Sequence, residues 1–498
     1  MGHLTANSGT GKLKPLVMKP LSLSQIGWIS GLIMAVLALV GWCYDWPYIL
    51  ALPLVATMVA WAFVKLDLYL SVVLFLVPLS LNLSEFGLVS MGWYMPTEPM
   101  LFALLILFIA RWISGQTPSR DLLKHPVTWT IFAGFIWMGL TILPSSHVVV
   151  SLKAWISRGW FLVSFYALIA EWFLVDRKAK HRFLLLLTIP LCIVVAYTLI
   201  RHAGYSFSKN AGHWVMKPFF KDHTSYGAVL AMMLPPAIAM AWRAAQSTLS
   251  RVLWALAVVW ISLGTVLSFT RAAWVSLFAA AGLWALMALG VKLRTLLATG
   301  VILTLGMMLS WDALVIRLER NKQDSSDNLA QHVESISNVS SDDSNLERLN
   351  RWACALSMFV ERPIWGWGPG TYQFEYAPFQ TSVNRTKIST NNADLGNAHS
   401  EYLGPLSEQG VLGLVSMLAL LLVTFHLGFK LQETLNDVEE RRLALAIFLG
   451  LVTYFVHGVL NNFLDTDKAS APFWGFLAMM VVMDIQRSMP QKISQNDS

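Results

Sequence analysis

Long apolar runs recur along most of the chain, and short polar segments separate them. Runs such as 26–42 and 411–425 approach or reach the roughly 17–25 residues that a helix needs to cross the hydrocarbon core of a bilayer. Hydropathy therefore predicts an all-α bundle of about fourteen transmembrane helices. The predicted spans are 24–43, 46–64, 66–83, 96–114, 126–144, 159–175, 182–201, 224–242, 251–269, 273–290, 294–311, 402–428, 442–463 and 471–486.

One polar interruption, at residues 312–401, is long enough to hold a substructure of its own. Its first part, Asn321–Ser344, is rich in Ser, Asp and Asn and lacks an apolar period, which is typical of a weakly ordered segment. From Leu346 onward the apolar residues recur at helical spacing and predict an amphipathic helix. The chain thus divides into a transmembrane part at 1–311 with about eleven spans, this periplasmic loop with short helices, and a C-terminal part at 402–498 with about three spans and a cytoplasmic tail.

Composition and charge agree with a multi-pass membrane protein. Hydrophobic residues make up 56% of the 498 positions and charged residues 13%, whereas soluble domains hold roughly 45–50% and 25%. Lysine and arginine are concentrated in alternate loops, which the positive-inside rule assigns to the cytoplasm. Lys178, Arg441 and both termini are therefore predicted to be cytoplasmic, and Asn338 and His399 periplasmic. The three cysteines are far apart in the sequence and indicate neither a disulfide framework nor a thiolate metal site.

The charged residues of the predicted outer side carry the candidate chemistry. No Gly-rich phosphate loop, HExxH motif or Cys/His metal spacing occurs in the chain, which argues against a nucleotide-driven pump or a zinc protease. The sequence predicts no metal and no cofactor. Arg271 is the sharpest candidate, because it stands between two apolar spans, where a charge is costly and usually functional. Its planar fork suits a diphosphate, and a guanidinium that anchors the chain at the interface is the alternative.

A histidine and two lysines extend this set of candidates. His399 lies at the polar start of a span, where a neutral imidazole can accept a proton from an acceptor hydroxyl. A helix cap or a surface residue is the alternative. Lys217 and Lys221 are either phosphate-binding residues or solvated loop charges. His457, inside a span, is more typical of a buried hydrogen-bonding group than of a ligand.

Four segments together resemble the signature of the O-antigen ligase and polymerase superfamily. They are Glu361–Tyr372, with the sequence Glu-Arg-Pro-Ile-Trp-Gly-Trp-Gly-Pro-Gly-Thr-Tyr, then Asn397–Ser400, Glu408–Gly413, and Ser268–Trp274, which resembles the Ser-x-x-Arg-x-x-Trp element of that family. The motif match covers roughly residues 200–415, and the multi-span layout with one large outer loop extends it over most of the chain.

The resemblance implies a metal-independent glycosyltransferase of the bacterial inner membrane. Such an enzyme moves a glycan from undecaprenyl diphosphate to a lipid or glycan acceptor at the periplasmic face. The family's loop histidine corresponds to His399, and its arginine at the helix turn corresponds to Arg271. A second family arginine has no clear counterpart, and Lys217 or Lys221 is expected to replace it. The residues expected to support the site are His223, Asn397 and Arg362.

Three alternatives stay open at the level of sequence. Ligase and polymerase differ only in the acceptor, which the residues do not identify. A transporter or flippase needs polar or ionisable residues along a path through the spans, and Glu171 and His457 are the notable buried candidates. A scaffolding protein would leave the outer cations without a common purpose. The predicted partners are the membrane, the lipid-linked donor and the acceptor, with no nucleic acid.

Overall fold

The structure is a computed structural model of the chain, and it describes residues 36, 39–40, 51–86, 93–243, 247–309, 343–380, 389 and 396–488. Two compact units cover residues 1–60 and 61–498. The predicted span 24–43 lies mostly outside the described residues, as do 321–342 of the polar segment with Asn338.

Helices make up nearly all the regular structure of the described residues. In chain order they are α1 (Ala51–Val64), α2 (Leu66–Leu76), α3 (Thr97–Ile113), α4 (Arg120–Lys124), α5 (Pro126–Leu140), α6 (Val148–Val175, with a π-helical stretch at Leu162–Ala167), α7 (Ala179–Ala203), α8 (Lys209–Gly212), α9 (His223–Ala241), α10 (Thr248–Leu267), α11 (Arg271–Ala288), α12 (Leu293–Leu309), α13 (Asp343–Glu361), α14 (Tyr372–Glu375), α15 (Leu403–Thr434), α16 (Val438–His457) and α17 (Asp467–Ser488). Short 3₁₀ turns lie at Leu83–Phe86 and Ala377–Phe379. The two-stranded antiparallel sheet of β1 (Leu81–Asn82) and β2 (Tyr94–Met95) joins α2 to α3.

Seven of the described helices are long and apolar enough to cross a membrane. They are α6, α7, α9, α10, α11, α15 and α17. Shorter apolar helices lie at Leu66–Leu76, Pro126–Leu140 and Leu293–Ile302. The chain is therefore a helical, multi-pass membrane protein, as predicted, while the total of fourteen spans and the positions of the termini stay predictions.

The largest departure from the predicted boundaries precedes span 159–175. The predicted spans leave 145–158 as an outer loop, because Lys153 and Arg158 interrupt the hydropathy there. In the structure α6 is a continuous helix that begins at Val148. Ser151 is completely buried, whereas Val149 and Lys153 are exposed, so this part of α6 has one covered and one open face. A polar residue lowers hydropathy without ending the helix, because hydropathy measures transfer into lipid and not helix propensity.

Helices α17 and α9 lie in the centre of the bundle. The most apolar window of α17 is 94% buried and that of α9 72%, against 22% for α10 and 28% for α11. A helix that is apolar on all sides and covered on all sides belongs in the core, whereas α10 and α11 present apolar residues to lipid. The centre of the bundle therefore carries the segments that precede α9 and α17, and both segments contribute to the site described below.

The segment at 343–380 and 396–402 folds onto the head of α15. Its helix α13 confirms the amphipathic helix predicted from Leu346 onward, and it packs against α15. A small buried core holds this segment together. Its members are Cys354, Ala355, Met358, Trp367, Tyr372, Tyr376 and Ala398. The core joins the end of α13, the Gly-rich turn and the segment before α15 into one substructure.

The Gly-rich turn after α13 pairs with a bend in α15. Gly368 N donates to Glu408 O at 2.8 Å, and Val411 N donates to Pro363 O at 2.9 Å. At the bend Gly410 has φ 69° and ψ −164°, a region that is essentially restricted to glycine. A Cβ at Gly410 would overlap the backbone carbonyl of Ile364. The glycines of these two sequence motifs therefore allow two backbones to approach closely.

Replacing Gly410 with alanine should lower the free energy of unfolding by at least about 1–3 kcal/mol, since strained backbone and overlap with a carbonyl act together. The measurement is thermal or denaturant unfolding of the purified variant in detergent. Gly404→Ala is the matched control in the same helix, because a Cβ there meets nothing within 4 Å. Equal stability of the two variants would contradict the role assigned to the bend.

Candidate active site

His399 lies in a short segment whose backbone is held by its neighbours. Its φ is +48°, which is uncommon for a residue other than glycine. The His399 N–H donates to Asn397 Oδ1 at 3.1 Å, so Asn397 stabilises this turn. Ser400 Oγ accepts from the backbone N–H groups of Tyr402 at 3.2 Å and Leu403 at 3.3 Å. Ser400 therefore caps α15. The bonds that hold this turn do not use the His399 ring.

Glu401 attaches this segment to the turn between α16 and α17. Its Oε1 accepts from the Tyr454 hydroxyl at 2.6 Å and from the backbone N–H groups of Phe463 at 2.8 Å and Leu464 at 2.9 Å. Its own N–H donates to Gly458 O at 2.8 Å. These four bonds fix the head of α15 against the 458–466 turn, so the position of His399 is set by buried contacts.

A cavity of about 180 Å³ opens beside His399. It is lined by Tyr94, Phe220, Lys221, Asp222, Thr224, Ser225, Val229, Asn397, His399, Asn461, Asn462, Phe463, Asp465, Thr466, Lys468 and Ala469. Three segments thus converge: the segment before α9, the segment before α15 and the segment before α17. The fold brings together Lys221, Asn397 and His399, which the sequence analysis singled out from separate loops.

The segment before α9 is shaped by its helix cap. Asp222 Oδ1 accepts from Ser225 N at 2.8 Å and from Thr224 Oγ1 at 2.7 Å. This cap leaves Lys221 exposed at the cavity. In the described part of the chain no carboxylate forms an ion pair with the Lys221 ammonium. The ring of His223 stacks on that of His213, with centroids 4.3 Å apart.

Arg271 starts α11 beside the same cap. The preceding Thr270 donates through its hydroxyl to His223 O at 2.7 Å, which ties the turn between α10 and α11 to the head of α9. The charge of Arg271 acts on the His223 ring. Gly227 permits this approach, because a Cβ there would come within 2.8 Å of the Thr270 side chain. Arg271 thus lies next to the segment that carries Lys221.

Comparison with known families identifies the segment that carries most of these residues. Residues 256–418 match the family described as O-antigen ligase. This segment is therefore similar to O-antigen ligases. The match covers about a third of the chain and confirms the family resemblance drawn from the motifs. No curated protein matches the chain in a sequence search.

The matched segment contributes Arg271, Asn397 and His399, while Lys221 and Asp465 come from outside it. It also contributes a cation that the sequence analysis missed. Arg348 on α13 acts electrostatically on His399 as well as on His223 and His457. In the sequence, Arg348 is one of several charges on the polar face of an amphipathic helix. Nothing in the sequence distinguishes it from the neighbouring charges that face solvent.

Two expected site residues lie in other contacts. Lys217 forms an ion pair with Glu85, with Nζ to Oε2 at 3.0 Å. Arg362 places its guanidinium 3.9 Å from the centre of the Trp367 ring. These contacts favour Lys221 over Lys217 as the cation at the cavity, and they give Arg362 a packing role beside the Gly-rich turn.

The 458–466 turn supplies polar groups that the sequence analysis also missed. Asn461 Nδ2 lies 3.1 Å from His457 Nε2, which confirms His457 as a buried hydrogen-bonding group. Within the described residues, Asn462 Oδ1 is buried and accepts no hydrogen bond. Asp465 faces the cavity from the same turn. The concentration of polar residues in Asn461–Lys468, between two apolar spans, is the feature of the sequence that could have indicated these groups.

The cavity changes the proton affinity of His399 and of Asp465 in opposite directions. Burial lowers the pKa of His399 to about 3, and the charges of Arg351 and Arg348 act in the same direction. The Asp465 side chain is exposed at the cavity, and desolvation by the surrounding protein raises its pKa to about 6, while Glu401 adds to this and Lys221 opposes it. At neutral pH the imidazole is therefore neutral and the Asp465 carboxylate is ionised.

Proposed function

We propose that this protein transfers a glycan from undecaprenyl diphosphate to an acceptor hydroxyl at the periplasmic face of the bacterial inner membrane. The observation that carries the proposal is one cavity lined by both His399, from the matched segment, and Lys221. Its Lys221 ammonium can meet an anionic leaving group. Its neutral imidazole, amides and Asp465 carboxylate can meet hydroxyl groups.

The reaction needs a displacement at the anomeric carbon. The acceptor oxygen forms the new bond to this carbon, while the bond to the diphosphate oxygen breaks and its electron pair leaves with the diphosphate. Arg271, Arg348 and Lys221 would stabilise the charge that develops on the leaving group. Because diphosphate is already a good leaving group, most of the remaining acceleration comes from holding donor and acceptor in line.

The hydroxyl proton of the acceptor has two possible recipients in the cavity. His399 is the family's histidine and is neutral, so its ring accepts a hydrogen bond from the hydroxyl. Asp465 is the stronger base at neutral pH, since its pKa of about 6 lies above the value of about 3 for His399. A bound diphosphate raises the pKa of a nearby imidazole through its negative charge, which would bring the two groups closer in strength.

The polar groups of the 458–466 turn are better suited to bind sugar hydroxyls than the diphosphate. The Asp465 carboxylate repels an anionic phosphate, whereas a sugar hydroxyl can donate to it. The unfilled acceptor Asn462 Oδ1 is suited to the same kind of group, because a buried acceptor without a donor costs free energy until one binds. The proposal therefore assigns the sugar side of the reaction to this turn and the diphosphate to Arg271, Arg348 and Lys221.

The assay for this function is transfer in liposomes that hold the purified protein, an undecaprenyl-diphosphate-linked oligosaccharide and a lipopolysaccharide core acceptor. We expect glycan on the core and free undecaprenyl diphosphate. In cells, deletion of the gene should leave polymer on the lipid carrier and none on the core if the protein is a ligase, and single repeats if it is a polymerase. An unchanged glycan profile in the deletion strain would contradict the proposal.

Transport is less well supported by the structure. Glu171, the acidic candidate for a path through the spans, lies 3.2 Å from Arg111 in an ion pair. His457, the other candidate, bonds to Asn461. Both groups are thus occupied by neighbouring residues, and neither points to a substrate path.

Replacing Lys221 with glutamine should weaken binding of the lipid-linked donor about ten- to hundredfold, because a charge-assisted contact to phosphate contributes roughly 1.5–3 kcal/mol. Binding of the labelled donor to the purified variant in detergent measures the effect. Lys217→Gln is the matched control four residues away, and we expect nearly normal donor binding, since Lys217 pairs with Glu85. Equal losses in the two variants would show that only the net charge of the loop matters.

A further inference from the structure

A second cavity lies at the far end of the bundle from His399. Its volume is about 310 Å³, and it is lined by His125, Pro126, Val127, Leu422, Val423, His426, Leu427, Lys430 and Asp484. Lys430 follows Gly410 by twenty residues along α15, which is about 30 Å of helix. That distance equals the thickness of the hydrocarbon core, so the cavity lies at the opposite membrane surface, the one that the positive-inside rule assigns to the cytoplasm.

The cavity has an apolar wall and a cationic end. The wall is formed by side chains such as Val127, Leu422 and Val423, from α5 and from the face of α15. At the polar end, Asp484 Oδ2 accepts from Lys430 Nζ at 2.7 Å. Asp484 Oδ1 accepts from Arg487 at 2.9 and 3.1 Å. One carboxylate thus faces two full positive charges.

His125 does not change this balance of charge. Val127 N donates to His125 Nδ1 at 3.2 Å, so Nδ1 carries no proton. The other ring nitrogen, Nε2, lies 3.4 Å from Asp484 Oδ2, so His125 contacts the carboxylate without adding a negative charge. Lys430 and Arg487 together exceed Asp484 by one positive charge. The excess lies at the edge of the hydrocarbon core, where an uncompensated charge is costly.

We infer that this cavity binds an anionic phospholipid, with the phosphate at Lys430 and an acyl chain along the apolar wall. Lys430 uses one of its three N–H donors on Asp484 and keeps 37% of its side chain exposed, so it can reach a phosphate oxygen. Basic pockets between helices at the cytoplasmic surface favour such headgroups. A soluble anion would satisfy the charge but would leave the apolar wall uncovered, which makes a membrane lipid the better complement.

The test uses the full-length protein, purified and placed in nanodiscs of phosphatidylcholine with an equal share of phosphatidylglycerol. Native mass spectrometry after release from the nanodiscs counts the lipids that stay bound. We expect wild type to retain phosphatidylglycerol preferentially. Lys430→Gln should lower this retention about tenfold or more. Val423→Trp should lower it without a change in charge, since it fills the apolar part of the cavity.

Lys124→Gln is the matched control, because Lys124 is an exposed cation next to the start of α5. We expect it to retain phosphatidylglycerol like wild type. Thermal unfolding of each variant in phosphatidylcholine alone verifies that it is folded. Equal losses in Lys430→Gln and Lys124→Gln, normal retention in Val423→Trp, or displacement of the lipid by millimolar inorganic phosphate would each overturn the inference. None of these measurements depends on glycan transfer.

Discussion

Replacing His399 with alanine should lower transfer about 10²–10⁴-fold, the usual contribution of a group that accepts or orients a proton. The protein should remain folded, because the adjacent backbone is held without the imidazole. Asn397 bonds the His399 N–H, Ser400 caps α15, and Glu401 attaches the segment to the 458–466 turn. Single-turnover transfer by the purified variant, with donor binding and the melting temperature measured alongside, provides the check.

Ser400→Ala is the control that separates catalysis from capping. It should cost about 0.5–2 kcal/mol of stability and change the rate per folded molecule little. The opposite pattern, in which His399→Ala lowers the melting temperature and leaves turnover nearly normal, would contradict the assignment.

The dependence of the transfer rate on pH tests which group accepts the proton of the acceptor hydroxyl. Since the pKa of Asp465 is raised to about 6 and that of His399 is lowered to about 3, we expect the rate to fall as the pH drops through about 6, where Asp465 takes up a proton. Asp465→Asn should remove that limb of the profile. A limb that persists in the variant would mean that another group controls it.

Replacing Arg271 with lysine should lower turnover about ten- to hundredfold although the positive charge is kept. A diphosphate oxygen pair accepts two parallel N–H bonds from a guanidinium, and an ammonium cannot reproduce this fork. The loss of one such contact in a site with little water amounts to roughly 1.5–3 kcal/mol. Steady-state transfer with saturating donor and acceptor, compared with binding of the donor alone, shows whether the loss lies in the transition state.

Arg251→Lys is a suitable control for the change of arginine to lysine, because Arg251 is exposed near the other end of α10. Its transfer rate should match wild type. Full transfer by a well-expressed Arg271→Lys protein would support the alternative that Arg271 anchors the turn at the membrane surface. In that case the hydrogen bond from the Thr270 hydroxyl to His223 O would hold the turn on the head of α9, and it would do so with either arginine or lysine at position 271.

The helices were largely predictable from the sequence. Span 224–242 corresponds to α9 at His223–Ala241, and span 251–269 to α10 at Thr248–Leu267, because uninterrupted apolar runs define both. The start of α6 was not predictable in this way. Hydropathy measures transfer into lipid and not helix propensity, so Lys153 and Arg158 lowered the score without breaking the helix.

The site was predictable only where a motif marked it. Arg271 and His399 follow from the family pattern, and the matched segment contains both. Lys217 and Lys221 are equivalent in sequence, and only the tertiary contact of Lys217 with Glu85 separates them. Arg348 and Asp465 were not predicted, because a charge in a polar segment does not reveal which other segments it will meet in the fold. Their proximity to His399 depends on which segments the bundle brings together.

The burial of α17 has a consequence for how the protein is made. This helix follows all the other described helices in the chain, yet its apolar window is 94% buried at their centre. Earlier helices therefore enter the bilayer before the element that fills the space between them has been synthesised. Until residue 488 has left the ribosome, the bundle lacks its centre and the cavity lacks the wall formed by the segment before α17. The site can therefore form only after α17 has been synthesised. Until then the bundle is open, and cellular quality control can recognise it.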